Sequence, residues 1–518
     1  MPLFTQIIVS YHRLLALGLL AGLTLQAAQA QIIRGTKRGE AYGYNSAADL
    51  RALAPGVAWW YNWAPTPDAA GAATAYQALG VEYVPTQWNG SLDGSPVTAD
   101  NLAAKIPAGT QYLLGFNEPN FRSQANLTPS QAAAVWPVLQ EVARRRGLKL
   151  VAPSVNYCGD CVSENGVTYY TPTQYLDAFF AACPTCQVDY IAVHTYVCQE
   201  QYLRQKVAEL KKYNKPIWVT EFACGDMPAG QITAAVQQKY LLDAVNYLEK
   251  EPAVFRYAWF SGRNNEIPGI NLLGSDGQLT ALGQLYVGRP AGWEAGRLVP
   301  VAVTASSQES AATGPANAAD RDINSRWASA LGAGPQYVQL DFGAPQALGR
   351  VQLSWEAAYA QQYQLQTSLD GTTWTTIQTV TDGDGGLDDL PGLQARARYL
   401  RIYATQRGTA YGYSLYEVET FGPAAALGTA PAATALAGAS LYPNPTIGAV
   451  TVQWPAAAAG SGRWLLTNAT GQVVRTGALR EQAGPNELVI STQLLPAGSY
   501  VLTLEGATRQ HLRLLKVE

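Results

Sequence analysis

Charge and histidine are both scarce in this sequence. Charged residues make up 14% of the 518 residues and the net charge is −3, whereas about 25% charged residues is usual. The chain has no basic tract, so nucleic acid is not an expected partner. Only three histidines are present, His12, His194 and His511. A histidine-rich metal site is therefore excluded, and a nucleophile activated by histidine would have to use His194.

Apolar runs long enough to span a membrane are also missing. The run Leu14–Leu20 is shorter than the roughly 20 residues that a membrane-spanning helix needs. It follows Arg13 and precedes Ala28-Gln29-Ala30, a small-x-small cleavage pattern. We therefore expect a signal peptide over residues 1–30, a mature chain that begins near Gln31, and an exported protein without a membrane span.

Aromatic residues and glycine are plentiful by contrast. The sequence contains 29 tyrosines, 13 tryptophans and 48 glycines. Its length predicts about three domains. Aromatic side chains in this number, combined with few charges, suit either protein cores or stacking on sugar rings, and composition does not decide between the two.

Two glutamates each lie at the end of an apolar strand segment. Glu118 follows Tyr112–Asn117 and precedes Pro119, which cannot extend a β-ladder. Glu221 lies near the end of Ile217–Phe222. Two carboxyl groups at strand ends suit a retaining glycosidase, which places its acid/base and its nucleophile about 5–5.5 Å apart. The alternative is two isolated acids in loops, and the paired pattern favours chemistry.

Eight strand candidates alternate with helix-like segments in the first half of the chain. This alternation predicts a (β/α)8 TIM barrel over residues 31–295, with functional groups at the C-terminal ends of its strands. Glu118 closes the fourth candidate and Glu221 the seventh. The candidates are Gly39–Asn45, Val57–Trp63, Val81–Trp88, Tyr112–Asn117, Leu148–Val155, Val188–Tyr196, Ile217–Phe222 and Phe255–Ser261.

Several other side chains near the strand ends are candidates for holding a sugar. An asparagine there can hydrogen-bond a sugar 2-hydroxyl, although it can equally cap a strand. Aromatic rings can stack on pyranose faces, although for each of them the barrel core is an equal alternative. A lone histidine on an apolar strand is either a cleft residue or a satisfied core residue. The candidates for substrate binding are Asn117, Trp63, Trp88, His194, Tyr196 and Trp259.

Four ordered motifs in the barrel region resemble the glycoside hydrolases of family 128, the glycosyl hydrolase catalytic cores with endo-β-1,3-glucanase activity. The motifs are Trp59–Trp63, Leu114–Asn120, Cys183–His194 and Trp218–Cys224. The resemblance implies that Glu118 is the acid/base and Glu221 the nucleophile, as in other retaining clan-A enzymes, and that β-1,3-glucan is the substrate.

Two rivals to this interpretation remain. One is a clan-A hydrolase of mannan or xylan. The other is a surface glycan-binding protein without activity, which the presence of both Glu118 and Glu221 disfavours. On the enzyme interpretation, catalysis needs no metal and no organic cofactor.

All six cysteines lie in the barrel region. The first CxxC pair follows the fifth strand and the second precedes the sixth, so a barrel would hold them at opposite ends and not as one zinc ribbon. An even number in an exported chain indicates disulfides. Cys198 and Cys224 follow neighbouring strands and are the favoured long-range pair. The six are Cys158, Cys161, Cys183, Cys186, Cys198 and Cys224.

Residues 296–422 change to short alternating strands separated by turns, which predicts a β-sandwich jelly roll. Four motifs resemble discoidin-like (F5/8 type C) domains, among which are the family-32 carbohydrate-binding modules. They are Asn317–Trp327, Tyr337–Gly343, Ser368–Trp374 and Tyr413–Val418.

The same resemblance implies a structural calcium ion in this domain. Its ligands would be Asp320, Asp322, Ser325 and Glu417, an all-oxygen set suited to that cation. Arg321 stands where the family usually has glycine. The alternative is a set of acids in a surface turn.

The last part of the chain begins with an Ala/Pro-rich segment, residues 423–440, which is typical of a linker. Three motifs in residues 441–518 are similar to those of the C-terminal sorting domains of type IX secretion, which are small β-sandwiches. They are Tyr442–Pro445, Asn468–Gln472 and Leu495–Tyr500. The resemblance implies a bacterial protein, secreted or held at the cell surface, whose partner is the type IX machinery. A further binding module is the alternative.

Overall fold

The structure is a computed structural model of the chain. It describes residues 34–67, 72–294, 296–332, 334–423, 440–442, 444, 446, 448–456, 459–468, 473–492, 495, 498–505 and 509–516. The predicted signal peptide and most of the predicted linker lie outside these residues. Backbone contacts divide the chain into two compact units, residues 1–425 and 426–518.

Strands and helices alternate from Arg38 to Gly288, and this alternation gives the region a TIM-barrel-like architecture. The main strands are β1 (Arg38–Ala41), β2 (Trp59–Tyr61), β3 (Glu82–Tyr83), β4 (Tyr112–Leu114), β5 (Lys149–Val151), β6 (Ile191–Thr195), β7 (Ile217–Phe222) and β8 (Val254–Phe260). The helices are α1 (Ala47–Leu53), α2 (Ala72–Ala78), α3 (Ala99–Lys105), α4 (Pro129–Arg146), α5 (Pro172–Ala182), α6 (Glu200–Leu210), α7 (Ala234–Lys250) and α8 (Ala281–Gly288). Two short hairpins, Ser91–Leu92 with Ser95–Pro96 and Ser163–Glu164 with Val167–Thr168, lie outside this series.

The parallel strands form two sheets. Six pair in the order β6-β7-β8-β1-β2-β3, and β4 pairs with β5. Isolated parallel bridges connect these sheets, from Thr86 to Leu114 and from Val151 to Tyr190. Pro85 and Pro153 lie at the two junctions, and a proline has no N–H to donate to a ladder. The barrel prediction therefore holds at the level of architecture, while the ladders are interrupted.

The local sequence explains where the helices begin. Ser46, Thr98, Thr128 and Thr171 each form a capping box at the start of a helix, which satisfies N–H groups that have no partner inside the helix. Aromatic and small residues from the parallel strands form one buried cluster. The largest of these buried residues are Trp59, Tyr61 and Trp218.

The next domain is built from antiparallel strands. They are β9 (Arg297–Leu298), β10 (Ala302–Ala305), β11 (Trp327–Ala328), β12 (Gln336–Trp355), β13 (Ala360–Ser368), β14 (Thr375–Val380), β15 (Leu387–Arg407) and β16 (Ser414–Phe421). The main sheet order is β9-β16-β12-β15-β13-β14, with β10 on β12 and β11 on β16. A single buried cluster that includes Trp327, Leu340 and Val418 forms its core. We call residues 297–421 the β-rich domain.

Helix α7 fastens the β-rich domain to the barrel. Lys250 forms a buried ion pair with Glu419, and the Asn246 amide donates to Ser354 Oγ at 3.0 Å. Asp243 accepts the N–H of Leu387 at 2.7 Å. The polar side of this helix is therefore buried against the β-rich domain and not exposed to solvent.

Residues 440–516 form a small β-sandwich of their own. Its strands are β17 (Ser440–Tyr442), β18 (Ala449–Ala456), β19 (Gly460–Asn468), β20 (Val473–Glu481), β21 (Gly484–Ser491), β22 (Gly498–Glu505) and β23 (Arg509–Lys516). They make a three-stranded sheet, β17-β18-β21, and a four-stranded sheet, β20-β19-β22-β23. Val452 and Ile490 from the first sheet share one buried core with Leu466 and Leu502 from the second.

Three disulfides tie the barrel region. Cys198 and Cys224 are joined, as predicted. Cys198 follows β6 and Cys224 follows β7. Each CxxC pair closes on itself, Cys158 with Cys161 and Cys183 with Cys186. Among the described residues, none of the helices is both long and apolar enough to cross a membrane.

Candidate active site

The two predicted glutamates meet at the C-terminal end of the strands. Glu118 follows β4 and its N–H donates to Ser154 O at 2.8 Å. Its φ of 42° is in the left-handed region, which residues with a side chain rarely adopt. One carboxylate oxygen of Glu118, one of Glu221 and a ring nitrogen of His194 all lie within 4.8 Å of one another. The fold thus brings together three groups that are spread over 103 residues of sequence, from Glu118 to Glu221.

Glu221 accepts hydrogen bonds from several donors. Tyr61 Oη donates to Oε1 at 2.9 Å, and Trp63 Nε1 donates to the same oxygen at 2.8 Å. Tyr196 Oη donates to Oε2. Burial raises the pKa of Tyr61 and of Tyr196, so both phenols stay protonated and able to donate. These donors fix the carboxylate and favour its ionised form, because an ionised carboxylate only accepts.

Glu118 has a different set of partners. Asn156 Nδ2 donates to its Oε1 at 2.9 Å, and His194 Nδ1 lies 3.0 Å from the same oxygen. Both of these contacts are to Oε1. We therefore expect Oε2 to be the oxygen that faces a substrate.

His194 lies between the two carboxyl groups because of an irregularity in the sheet. The register of β6 against β7 shifts by one residue between Val193 and His194, so that His194 pairs with Glu221 and not with Thr220. Its Nδ1 is 3.4 Å from Glu221 Oε2. A bulge of this kind re-aims a side chain, and here it turns the imidazole toward both acids.

Burial and charge act in opposite directions at this centre. Burial lowers the pKa of His194, but Glu221 and Glu118 outweigh it and the pKa is raised overall. The pKa of Glu221 is also raised overall: burial raises it most and Glu118 adds to the rise, while the charge of His194 and the hydrogen bonds from Tyr196 and Trp63 lower it and offset part of the effect of burial. His194 and Glu221 therefore act on each other's protonation. These three atoms are also close enough to one another to hold a metal ion.

The other predicted substrate-binding residues divide into two groups. Trp63, half-buried with a φ of 60°, and Tyr196 both contact Glu221. Asn117 precedes Glu118 in the chain, and its backbone N–H donates to Trp88 O at 2.9 Å. The side-chain amide of Asn117 donates to Gln124 Oε1 at 3.4 Å.

Trp259 is the exception among the predicted residues. It is fully buried, its indole N–H donates to Ile270 O at 2.8 Å, and its ring packs edge-on against Phe222. It lies near the end of β8 but on the face that packs against the helices, in one buried cluster with Tyr240 and Tyr286. The structure therefore places Trp259 in the core and not with the glutamates.

Two polar residues of the site were not predicted. Tyr61 lies in the Trp59–Trp63 motif and Asn156 follows Leu148–Val155. Both occur at the C-terminal end of a predicted strand. If every polar residue at such an end had been taken as a candidate, these two would have been included.

Three family models match successive parts of the chain. Residues 39–286 match the glycosyl hydrolase catalytic core. Residues 302–418 match the F5/8 type C domain, and residues 440–517 match the secretion system C-terminal sorting domain.

Solved structures and a curated protein are similar to the first of these regions. A GH128 (subgroup II) endo-beta-1,3-glucanase from Sorangium cellulosum is 47% identical, over 49% of this chain and 99% of that chain, with a TM-score of 0.45. The corresponding enzyme from Pseudomonas viridiflava is 39% identical, over 50% of this chain and 100% of that chain, with a TM-score of 0.45. Alkali-sensitive linkage protein 1 of Schizosaccharomyces pombe is 27% identical over 237 residues, which are 45% of this chain and 40% of that protein.

The sequence identity extends over the full length of the catalytic cores, and the family matches follow the order predicted from the motifs. The sorting domain indicates export by type IX secretion to the cell surface or the extracellular space. The chain therefore belongs to the glycosyl hydrolase catalytic core family, as a glycoside hydrolase that also carries an F5/8 type C domain and a C-terminal sorting domain.

Proposed function

We propose that the barrel is a retaining endo-β-1,3-glucanase in which Glu221 is the nucleophile and Glu118 the acid/base. The observation that carries the mechanism is the approach of one oxygen of each carboxylate to within 4.8 Å. Retaining glycosidases place these groups about 5–5.5 Å apart, whereas inverting enzymes need about 6.5–9.5 Å to admit a water molecule. The sequence identity to enzymes described as endo-beta-1,3-glucanases supports the choice of β-1,3-glucan.

The hydrogen bonds support this assignment of roles. Glu221 is held by Tyr61, Trp63 and Tyr196, which suits an ionised nucleophile that must keep one orientation. Glu118 has one oxygen bound to Asn156 and His194, which leaves the other free to give a proton to a leaving group.

The reaction then follows in two displacements. A Glu221 oxygen attacks the anomeric carbon, and Glu118 protonates the glycosidic oxygen as that bond breaks, so that a glycosyl ester forms on Glu221. Glu118, now ionised, takes a proton from water, and the hydroxide oxygen displaces Glu221 from the same carbon. His194, with its raised pKa, stabilises the negative charge that passes between the two acids.

A substrate panel tests the function. The purified chain is incubated with laminarin, a mixed-linkage β-glucan, xylan and mannan, and products are identified by mass and linkage. We expect laminarin to yield β-1,3-linked oligosaccharides of several lengths from the earliest times. Cleavage confined to xylan or mannan, or release of single glucose units alone, would contradict the proposal.

We also propose that the β-rich domain holds a structural calcium ion. Its oxygen donors converge on one turn: Ser325 Oγ donates to Asp320 Oδ2 at 2.7 Å, and the Asp322 N–H donates to Asp320 Oδ1 at 2.9 Å. Glu417 joins them, since its Oε2 accepts the N–H of Arg321 at 3.2 Å.

The electrostatics of this turn fit a cation. Burial raises the pKa of Glu417 to about 7, and nearby Asp320 contributes to the rise. Arg297 pairs with Glu417 Oε1 at 2.5 Å and compensates part of the charge. Arg321 has a φ of 65°, the conformation in which the family's usual glycine would be unstrained. A chelator should lower the melting temperature, because calcium binds only the folded domain. No change with the chelator would contradict the calcium proposal.

The type IX machinery is proposed as the partner of residues 440–517, which match the sorting domain. A chain that lacks residues 441–518 should retain hydrolysis of soluble glucan and lose export in a host with this secretion system. Normal export of the shortened chain would contradict the proposal.

A further inference from the structure

A cleft of about 930 Å³ lies between the barrel and the β-rich domain, and it does not include the two glutamates. One wall comes from the barrel, with Gln199, Gln201 and Tyr240 among its residues, and the other from the β-rich domain, with Tyr411 and Tyr413. A volume of this size matches the clefts that take extended organic ligands. None of the assignments made above uses it.

The barrel wall continues from the active site. Strand β6 carries His194 and leads through Tyr196 into Cys198 and Gln199, which line the cleft. The chain after β7, which carries Glu221, reaches the same cleft at Met227. The disulfide between Cys198 and Cys224 joins these two loops. The cleft therefore lies at the edge of the strand ends where the proposed catalysis takes place.

The two walls have a fixed spacing because the floor is bonded across the domains. Lys239 Nζ donates to Gly385 O at 2.6 Å and pairs with Asp384 at 3.1 Å. Asp243 accepts from the N–H of Leu387 at 2.7 Å. The cleft is thus formed within one compact unit of the chain and before a ligand binds, which lowers the entropic cost of binding.

The chemistry of the lining favours a neutral ligand. Its charged side chains are already paired: Lys239 with Asp243 and Asp384, Arg326 with Glu309, and Glu200 with Arg204. Glu356 accepts the N–H of Ala358 at 2.9 Å. A charged ligand would have to break these pairs, whereas hydroxyl groups would not.

What the lining offers beyond these pairs is aromatic surface and neutral polar groups. Two exposed apolar side chains of the β-rich domain line the cleft, Tyr411 at 64% and Leu331 at 71% exposure. Gln199 and Gln201 are exposed on the facing wall. Among the described residues, the buried hydroxyls of Tyr240 and Tyr413, one on each wall, have no hydrogen-bond partner. Aromatic faces with amide and hydroxyl groups are the combination that suits a sugar chain.

We propose that this cleft binds a segment of neutral polysaccharide through both domains at once and extends the substrate-binding surface of the barrel. The choice of β-1,3-glucan as the ligand rests on the proposed function. If the β-rich domain bound the polysaccharide alone, only the residues on its own wall of the cleft would matter. The proposal differs because residues on the barrel wall must contribute as well.

The test uses the full chain with Glu221→Gln, so that the glucan is not consumed, and calorimetric titration with laminarin and with laminaritriose. Tyr411→Ala should weaken laminarin binding about 10-fold through loss of an aromatic face. Gln199→Ala should weaken it about 3-fold through loss of a hydrogen bond. Neither should change binding of laminaritriose, which is too short to occupy both the catalytic centre and the cleft.

Two exposed residues outside the cleft serve as controls, Leu369→Ala in the β-rich domain and Gln205→Ala on α6, and both should bind as the parent chain does. Loss of affinity in Tyr411→Ala but not in Gln199→Ala would overturn the shared cleft in favour of a site on the β-rich domain alone. No loss in either variant would overturn the cleft altogether.

Hydrolysis of laminarin by the chain with Glu221 intact is measured separately. If that hydrolysis is absent, the proposed function fails. If hydrolysis is normal while both cleft variants bind laminarin like the parent, only the cleft proposal fails.

Discussion

Buried carboxylates occur in two regions of this protein and have opposite surroundings. In the contact between α7 and the β-rich domain, Glu419 is 1% exposed and faces Lys250. At the strand ends, Glu118 and Glu221 face each other with only His194 between them. An acid with its own fixed cation forms a structural ion pair. Two acids that face each other across one histidine have the arrangement that a pair of catalytic carboxyl groups needs.

The comparison predicts that the two regions fail in different ways when an acid or its partner is removed. Loss of a group at the strand ends should remove activity and leave stability almost unchanged. Loss of a group in the interface should do the reverse.

The largest effect is expected from Glu221→Ala. Without a nucleophile no glycosyl ester can form, so kcat on laminarin should fall by about 10⁴-fold or more. The melting temperature should change much less than in the interface variant below, because relief of a buried acid that faces Glu118 offsets the loss of the acceptor for Tyr61, Trp63 and Tyr196. Steady-state kinetics and thermal unfolding on the same preparation check both parts, and near-normal turnover would refute the assignment.

Glu118→Ala should cause a smaller loss that depends on the leaving group. On laminarin the rate should fall by about 10²–10⁴-fold, and on an aryl glucoside with a good leaving group it should fall much less. Added azide should partly restore turnover and give a β-glycosyl azide. In Glu221→Ala azide should give the α-azide, and the reverse pattern in the two variants would exchange the roles of the glutamates.

Lys250→Met should act on stability alone. Removing one partner of a buried ion pair leaves Glu419 uncompensated, which costs about 3–5 kcal/mol in the free energy of unfolding. The turnover of a short substrate should not change at a temperature where the variant is folded. Lys149→Met is the matched control, because Lys149 is 59% exposed in its pair with Asp189 and pairs that water reaches contribute about 0–1 kcal/mol. Equal losses in the two variants would remove the contrast between the regions.

The smallest expected change is a shift in the pH profile of His194→Gln. The His194 charge lowers the pKa of Glu221 against the effect of burial, so the substitution should raise that pKa. Glu221 must be ionised to attack, and the acid limb of kcat/KM should therefore move to higher pH. An acid limb that stays in place or moves to lower pH would show that His194 does not act on Glu221.

The sequence predicted the parts of the site that follow from strand ends. Glu118 and Glu221 stand where apolar segments stop, and Cys198 and Cys224 could be paired from the same rule. The orientation of His194 was not predictable, because it depends on a register shift between β6 and β7. For Trp259 the strand was predicted correctly, but the face of the strand was not.

The contact between domains was also beyond the sequence. Asp243, Asn246 and Lys250 look like the solvent side of an amphipathic helix, and periodicity alone cannot tell solvent from a distant domain. Their partners, Leu387, Ser354 and Glu419, come more than 100 residues later. Similarly, the prolines that interrupt the ladders at Pro85 and Pro153 leave the strand count unchanged while dividing the sheet.

The most direct test of the catalytic centre is the configuration of the first product. Laminarin or a laminarin oligosaccharide is hydrolysed with a large amount of enzyme, and the anomeric proton of the new reducing end is followed by NMR before mutarotation. A double displacement through Glu221 predicts that the β-anomer appears first and converts slowly to the α-anomer. Initial formation of the α-anomer would show inversion, and would contradict a mechanism based on two carboxylates whose oxygens lie within 4.8 Å.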